Sequence, residues 1–325
     1  TAATTINNTS GAAITNAGNN PINFANTGAV TLTFTGSNAL NLGTGTVTLG
    51  GGALTIANSG AYPLTFGGNV GDNGGNVGIS TNSAGVVILA GTANTFTGTI
   101  SVTGTAGGGT LSMASIADSV TYGSGVGSIT TANTSGTPYF RYTGSAVTLI
   151  NRSLNLSTVT TGGFILDASG TGALALANTG TIAVGAGTKT LTLRGSNTDS
   201  NILAAVLPNN SGTNKTNLTK LDRGQWVLTN NNTFTGATTV NAGMLKLDAS
   251  LNAAITPASG IINSGSALTL GGGTLSITGA TGATTQSFAS TALTTNTMST
   301  VTASAGAGGL TVNLAAITRA ASSGL

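Results

Sequence analysis

Apolar residues fall in short runs of three to five along the whole chain, at 30–34, 54–56, 86–89, 191–193, 268–270 and 310–314 among others. Gly, Asn, Asp and Ser separate the runs, and these residues tolerate the positive φ that tight turns require. Within several runs the pattern alternates. In Thr190-Leu191-Thr192-Leu193 and Ser266-Ala267-Leu268-Thr269-Leu270 the apolar side chains share one face and the hydroxyls the other, the period of a half-buried strand. Segments 201–207 and 314–321 are the best helical candidates, and both are short. The pattern predicts an all-β chain.

Two stretches repeat. Residues 85–113 and 224–247 each run from an apolar strand through Asn-Thr-Phe-Thr-Gly to a Thr/Val strand, a Gly-bearing corner and a second alternating strand. VTLGGGALTI at 47–56 and LTLGGGTLSI at 268–277 form a second pair, whose triple glycines read as corners. Recurrent strands with connections of two to five residues fit the successive sides of a coil better than an ordinary sheet, in which parallel strands need long crossovers. The fold expected is a right-handed parallel β-helix (β-solenoid), one continuous array over 1–325, with a protruding loop at 208–217. LTKLD at 218–222 and MLKLD at 244–248 stand 26 residues apart and read as one rung. In that reading Leu221 lies beside Leu247 inside, and Lys220 and Asp222 stack on Lys246 and Asp248 outside.

Composition narrows the function. Charged residues make up 5% of the 325, against about a quarter in ordinary globular domains. The net charge of +3 comes from nine Lys/Arg that are scattered along the chain. Nucleic-acid binding needs a dense basic stripe and is not expected. With no His, Cys or Glu, neither a Ser/His/Asp triad nor a thiolate metal site can be assembled. No apolar run reaches the ~18 residues of a membrane helix. No cofactor and no metal is expected. Asp72-Asn73-Gly74-Gly75-Asn76 has a single carboxylate, too few for Ca²⁺, and reads as a turn. The chain opens on Thr and shows no signal-peptide core, which reads as a processed product or the ordered part of something longer.

The segment LTKLDRGQWVLTNNNTFTGATTVNAGMLKLDAS at 218–250 resembles the autotransporter-associated β-strand repeat of bacterial surface proteins, roughly LTKxGxGTWxLxGxNTYTGxTTVxxGTLxL. Leu218, Thr219, Lys220, Gly224, Trp226, Leu228, Asn232, Thr233, Thr235, Gly236, Thr238, Thr239, Val240, Gly243, Leu245 and Leu247 match it. Asp222-Arg223 and Met244 depart from it, placing charge and a long thioether where the pattern has small residues. The copy at 85–113, with Asn94, Phe96 and Gly98, matches more loosely and carries an insertion around 105–108. Residues 141–198 look like the spacers between such repeats. The resemblance implies a β-helical passenger, a class that includes adhesins, enzymes and plain stalks. The barrel that exports true autotransporters is not among these residues.

Two constellations are candidate chemistry. Asp199, Asp222 and Asp248, spaced 23 and 26, could place acids on neighbouring coils as carbohydrate-cleaving β-helices do; the alternative is an exposed Lys/Asp ladder. In Tyr139-Phe140-Arg141-Tyr142 alternation puts Tyr139 and Arg141 outside as a possible sugar-stacking platform, and Phe140 and Tyr142 inside. Phe96, Phe234 and Trp226 are expected in the core. The expected role is a non-catalytic, extracellular structural or adhesive solenoid, a cell-surface stalk or fibre subunit. Its partners would be copies of itself end to end, further repeats of a longer chain, or surface polysaccharide. The alternative is a carbohydrate-binding or carbohydrate-cleaving β-helix.

Overall fold

The computed structural model describes residues 2–73, 77–104, 109–118, 127–131, 137–156, 162–252, 260–294, 296–322 and 324. Part of the Asp72–Asn76 turn and the insertion at 105–108 lie outside the described residues. The chain forms two compact units, Thr1–Ile165 with Gly170–Gly172, and Leu166–Ser169 with Ala173–Leu325.

In the first unit each coil lays one strand on each of two sheets; the first three coils add a third strand, and so does the coil that holds Thr148–Ile150. One sheet stacks Ala2–Ile6, Val30–Phe34, Leu54–Asn58, Ile79–Ser83, Ile100–Gly104, Ile129–Thr131 and Leu154–Leu156; the next stacks Ile14–Thr15, Leu40–Asn41, Leu64–Phe66, Val86–Leu89, Thr110–Met113 and Tyr139–Tyr142. Pairing is parallel and in register, so like sits on like. Val30, Leu54, Ile79, Ile100, Ile129 and Leu154 form one column, and none of them is more than 9% exposed. Burying such a side chain stabilises by about 1.5–3 kcal/mol, which is how a narrow coil holds with so few aromatics.

The second unit repeats the design. Lys189–Arg194, Thr216–Lys220, Thr238–Val240, Leu268–Leu270, Thr291–Leu293 and Ile317–Arg319 stack on one side. Leu174–Leu176, Asn201–Leu203, Gln225–Leu228, Met244–Asp248, Thr274–Thr278 and Thr300–Ser304 stack on another. The fold is thus an all-β solenoid of parallel strands, as the spacing predicts. The triple glycines are corners, lying between Val47–Leu49 and Leu54–Asn58, and between Leu268–Leu270 and Thr274–Thr278.

Three expectations are corrected. Neither helical candidate is helical: the first begins as the strand Asn201–Leu203 and the second holds Ile317–Arg319. At Asn201 the side chain takes over coil bridging, accepting from Leu174 N–H (2.8 Å) and donating to the Gln225 carbonyl (2.9 Å), and such bonds compete with a helix. The loop starting at 208 ends at Lys215, because Thr216 and Asn217 already belong to a strand. Finally, LTKLD and MLKLD are not one rung. Thr216–Lys220 pairs with Thr238–Val240, whereas Met244–Asp248 pairs with Gln225–Leu228 on a different sheet. Burial in Thr216–Lys220 alternates so that Leu218 and Lys220 point inward. The interior column therefore reads Leu193, Lys220, Val240, Leu270, Leu293.

Candidate functional site

The Asn-Thr-Phe-Thr-Gly pentapeptide forms the corner after Val86–Leu89 in one copy and after Gln225–Leu228 in the other. Each asparagine ties three coils together. Asn94 Oδ1 accepts the Val70 N–H (2.8 Å), and its Nδ2 donates to the carbonyls of Ser115 (3.0 Å) and Gly91 (3.2 Å). Asn232 does the same: Oδ1 accepts from Leu207 N–H (2.9 Å) and Nδ2 donates to Ile261 (3.0 Å) and Asn230 (2.8 Å). The next residue closes the loop, since Thr95 N–H donates to the Val70 carbonyl and Thr233 N–H to the Leu207 carbonyl. Both asparagines are buried, and Phe96, Phe234 and Trp226 are fully buried as expected. The motif glycines allow close approach: a Cβ on Gly236 would lie 2.0 Å from the Thr216 carbonyl oxygen, and one on Gly98 would lie 2.3 Å from backbone of residues 77 and 78. The motif is a clamp between coils.

Charged groups serve the same end. Asp72, 3% exposed, accepts through Oδ2 from Val77 N–H, Thr97 N–H and Thr97 Oγ1, at 2.9–3.0 Å. From the other side Arg152, also 3% exposed, donates to the carbonyls of Phe96 (3.0 Å), Gly98 (2.6 Å), Ala117 (2.9 Å) and Gly127 (2.8 Å). Its guanidinium lies 5.8 Å from the Phe96 ring centroid. Burial pushes Arg152 down to about 10, against the opposing charges of Asp118 and Asp72. Sequence reasoning missed this brace, because Arg152 stands among neutral residues with no acid near it in the chain.

Lys220 is fully buried, with its stem in the aliphatic column. Its ammonium donates to the carbonyls of Leu221 (2.5 Å), Asp222 (2.8 Å) and Ala242 (3.2 Å) at the coil corner. Burial lowers its pKa to about 8, opposed by the charge of Asp222. The exposed Lys/Asp ladder is accordingly replaced by separate contacts. Arg194 Nε donates to Asp222 Oδ2 at 2.7 Å and lies 4.0 Å from Asp167 Oδ2. Asp222 sits at φ 56°. Burial raises its pKa, but the hydrogen bond and charge of Arg194 outweigh that and leave it below the ordinary value. Asp248 is 4% exposed, pairs with Lys246 Nζ at 2.7 Å and caps the 3₁₀ turn Ala249–Leu251 through Ser250 N–H at 3.1 Å. Burial raises its pKa, and Lys246 and Ser250 more than offset this to leave it lowered. Asp199 is exposed and its Oδ2 accepts from Asn197 Nδ2 at 3.4 Å. Each member of the Asp series is thus engaged by a different partner.

Tyr139 and Arg141 share the outer face, with Phe140 and Tyr142 fully buried. Arg141 Nη2 donates to Tyr139 Oη at 2.8 Å, and its guanidinium lies 5.0 Å from the ring centroid. The two form one half-buried surface element.

The passenger-associated-transport-repeat family model matches residues 82–104 and 218–247, the two clamp-bearing stretches. The adhesin BmaC autotransporter of Brucella suis biovar 1 (strain 1330) is 44% identical over 94 residues, which are 28% of this chain and 3% of that protein. The chain therefore spans only a small fraction of the curated relative it matches. No solved structure matches. The chain carries two copies of an autotransporter passenger repeat, as the resemblance at 218–250 implies.

Proposed function

We propose that this chain is a stretch of a secreted bacterial autotransporter passenger, held outside the cell as a non-catalytic structural and adhesive β-solenoid. The observation that supports this best is the placement of its charged side chains. Asp72, Asp248, Arg152 and Lys220 are buried in bonds to backbone and neighbouring coils, where they hold shape rather than face a substrate. Sugar hydrolysis needs two carboxyl groups facing each other across an open site, and the Asp series is bound up in separate contacts. The similarity to a named adhesin points the same way. No helix among the described residues is long and apolar enough to cross a membrane.

Assembly is a second element of this reading: an open strand edge pairs with another strand, so coils of a second copy would stack on it and extend the array.

Beads coated with the purified chain, set against cultured host cells and against polysaccharide films, test the proposal. Adhesion above an albumin-coated control, with no new reducing ends released from the films, is the expected result. Release of reducing ends that D222N or D248N abolishes would replace it with the carbohydrate-cleaving reading.

A further inference from the structure

An open groove of about 380 Å³ lies in the second unit, lined by Thr198, Arg223, Gln225, Met244 and Thr274. Gly243 and Gly272, at φ 61° and 114°, complete its wall and leave two levels without side chains. The register places Gln225, Met244 and Thr274 directly one above the next. With Thr198 a coil earlier, the groove follows four coils, roughly 14 Å at the spacing of stacked strands.

Its lining coincides with the departures from the repeat pattern. Of the three residues that break the pattern, Asp222 holds Arg194, while Arg223 and Met244 both line the groove. Arg223 is exposed, and no ion pair among the described residues uses it. Gln225 is fixed by donating to Ser200 Oγ at 3.2 Å.

We infer that this groove binds a carboxylate-bearing saccharide. The inference rests on the adhesive reading above, to which it adds a ligand class. A guanidinium presents a planar fork that matches a carboxylate with two parallel hydrogen bonds. Thr198, Thr274 and Gln225 supply the donors and acceptors that ring hydroxyls need, and Met244 gives an adaptable apolar surface for a ring face. The volume falls within the usual range of small-ligand sites.

Calorimetric titration of the full chain with trigalacturonate, its methyl ester, maltotriose and inorganic phosphate is the test. Trigalacturonate should bind, and more weakly as salt is raised; the two neutral sugars and phosphate should bind at least tenfold more weakly. R223Q, an exposed change that leaves the fold intact by circular dichroism, should lose roughly tenfold or more in affinity, the worth of a charge-assisted pair. Phosphate binding as tightly as trigalacturonate, R223Q binding as tightly as the parent chain, or no binding at all would each overturn the site. The bead assay separates the two readings. Parent beads that adhere while trigalacturonate fails to bind retire the groove and leave adhesion standing, whereas beads that never adhere while trigalacturonate binds retire adhesion and leave the site.

Discussion

Replacing Asn232 by Ala tests whether the clamp, and not merely the apolar interior, holds the coils together. The substitution removes three hydrogen bonds at 2.8–3.0 Å from a side chain that is 4% exposed. Leu207 N–H loses its acceptor in a buried place, which costs about 1–3 kcal/mol. The Ile261 carbonyl keeps the Asn232 backbone N–H at 2.9 Å, so the two lost donations cost only about 1 kcal/mol each. The sum is about 3–5 kcal/mol. A stacked array opens locally, so the measurement is amide hydrogen exchange at Leu207 and its neighbours, which should quicken by roughly two to three orders of magnitude or more. Thr233→Ala, an exposed change one residue on, should stay within about 0.5 kcal/mol. Asn232→Asp puts an oxygen against the carbonyls of Asn230 and Ile261, so it favours the protonated acid and is expected to destabilise more at pH 7 than at pH 4. If N232A and T233A exchange alike, the clamp contributes nothing and the physical account of the repeat fails.

Gly236→Ala should lower the urea midpoint by the equivalent of about 2 kcal/mol or more, since its Cβ would collide with the Thr216 carbonyl; Gly282→Ala, with open space around it, should not. Lys220, held at about 8 against an ordinary 10.5, binds fewer protons folded than unfolded between those values, so stability should rise with pH across that window. Lys220→Met should flatten the rise in melting temperature. Asp222, with its pKa lowered, contributes stability that is present above about pH 4 and fades as pH falls through its folded value. Asp222→Asn should remove that acid limb at a cost of at most about 1 kcal/mol at neutral pH, because the pair is part-exposed; an unchanged limb would show that the Arg194 contact carries no weight.

Much of the fold was legible because alternation reports faces directly. Leu191 and Leu193 point inward and Thr190 and Thr192 outward, as their spacing alone implies, and the phenylalanines of the pentapeptide are core. What alternation does not fix is its phase from one strand to the next, since a corner of odd or even length resets it. For that reason LTKLD and MLKLD, nearly identical as text, present opposite faces: Lys220 lies inside with Leu218, whereas Lys246 lies outside. A lysine at an inward position reads as an error until the corner carbonyls that receive it are in place. Arg152 and Asp72 escaped for a related reason, because most of their partners are carbonyls and amides 25–56 residues away, and backbone groups leave no signature in the sequence. The groove escaped because its lining comes from four coils. Even so, Arg223 and Met244 stood out as departures from the repeat.

The chain has no cysteine, so introduced pairs report stacking without background. Thr239 and Thr269 are register partners on adjacent coils, with outward side chains on strands about 4.8 Å apart, within disulfide reach. T239C/T269C should oxidise rapidly to an intramolecular bond that leaves the circular dichroism spectrum unchanged. K220C/K246C, which the 26-residue rung would bring together on one sheet, should remain reduced. Rapid bonding of the second pair and not the first would contradict the stacking register on which the whole account stands.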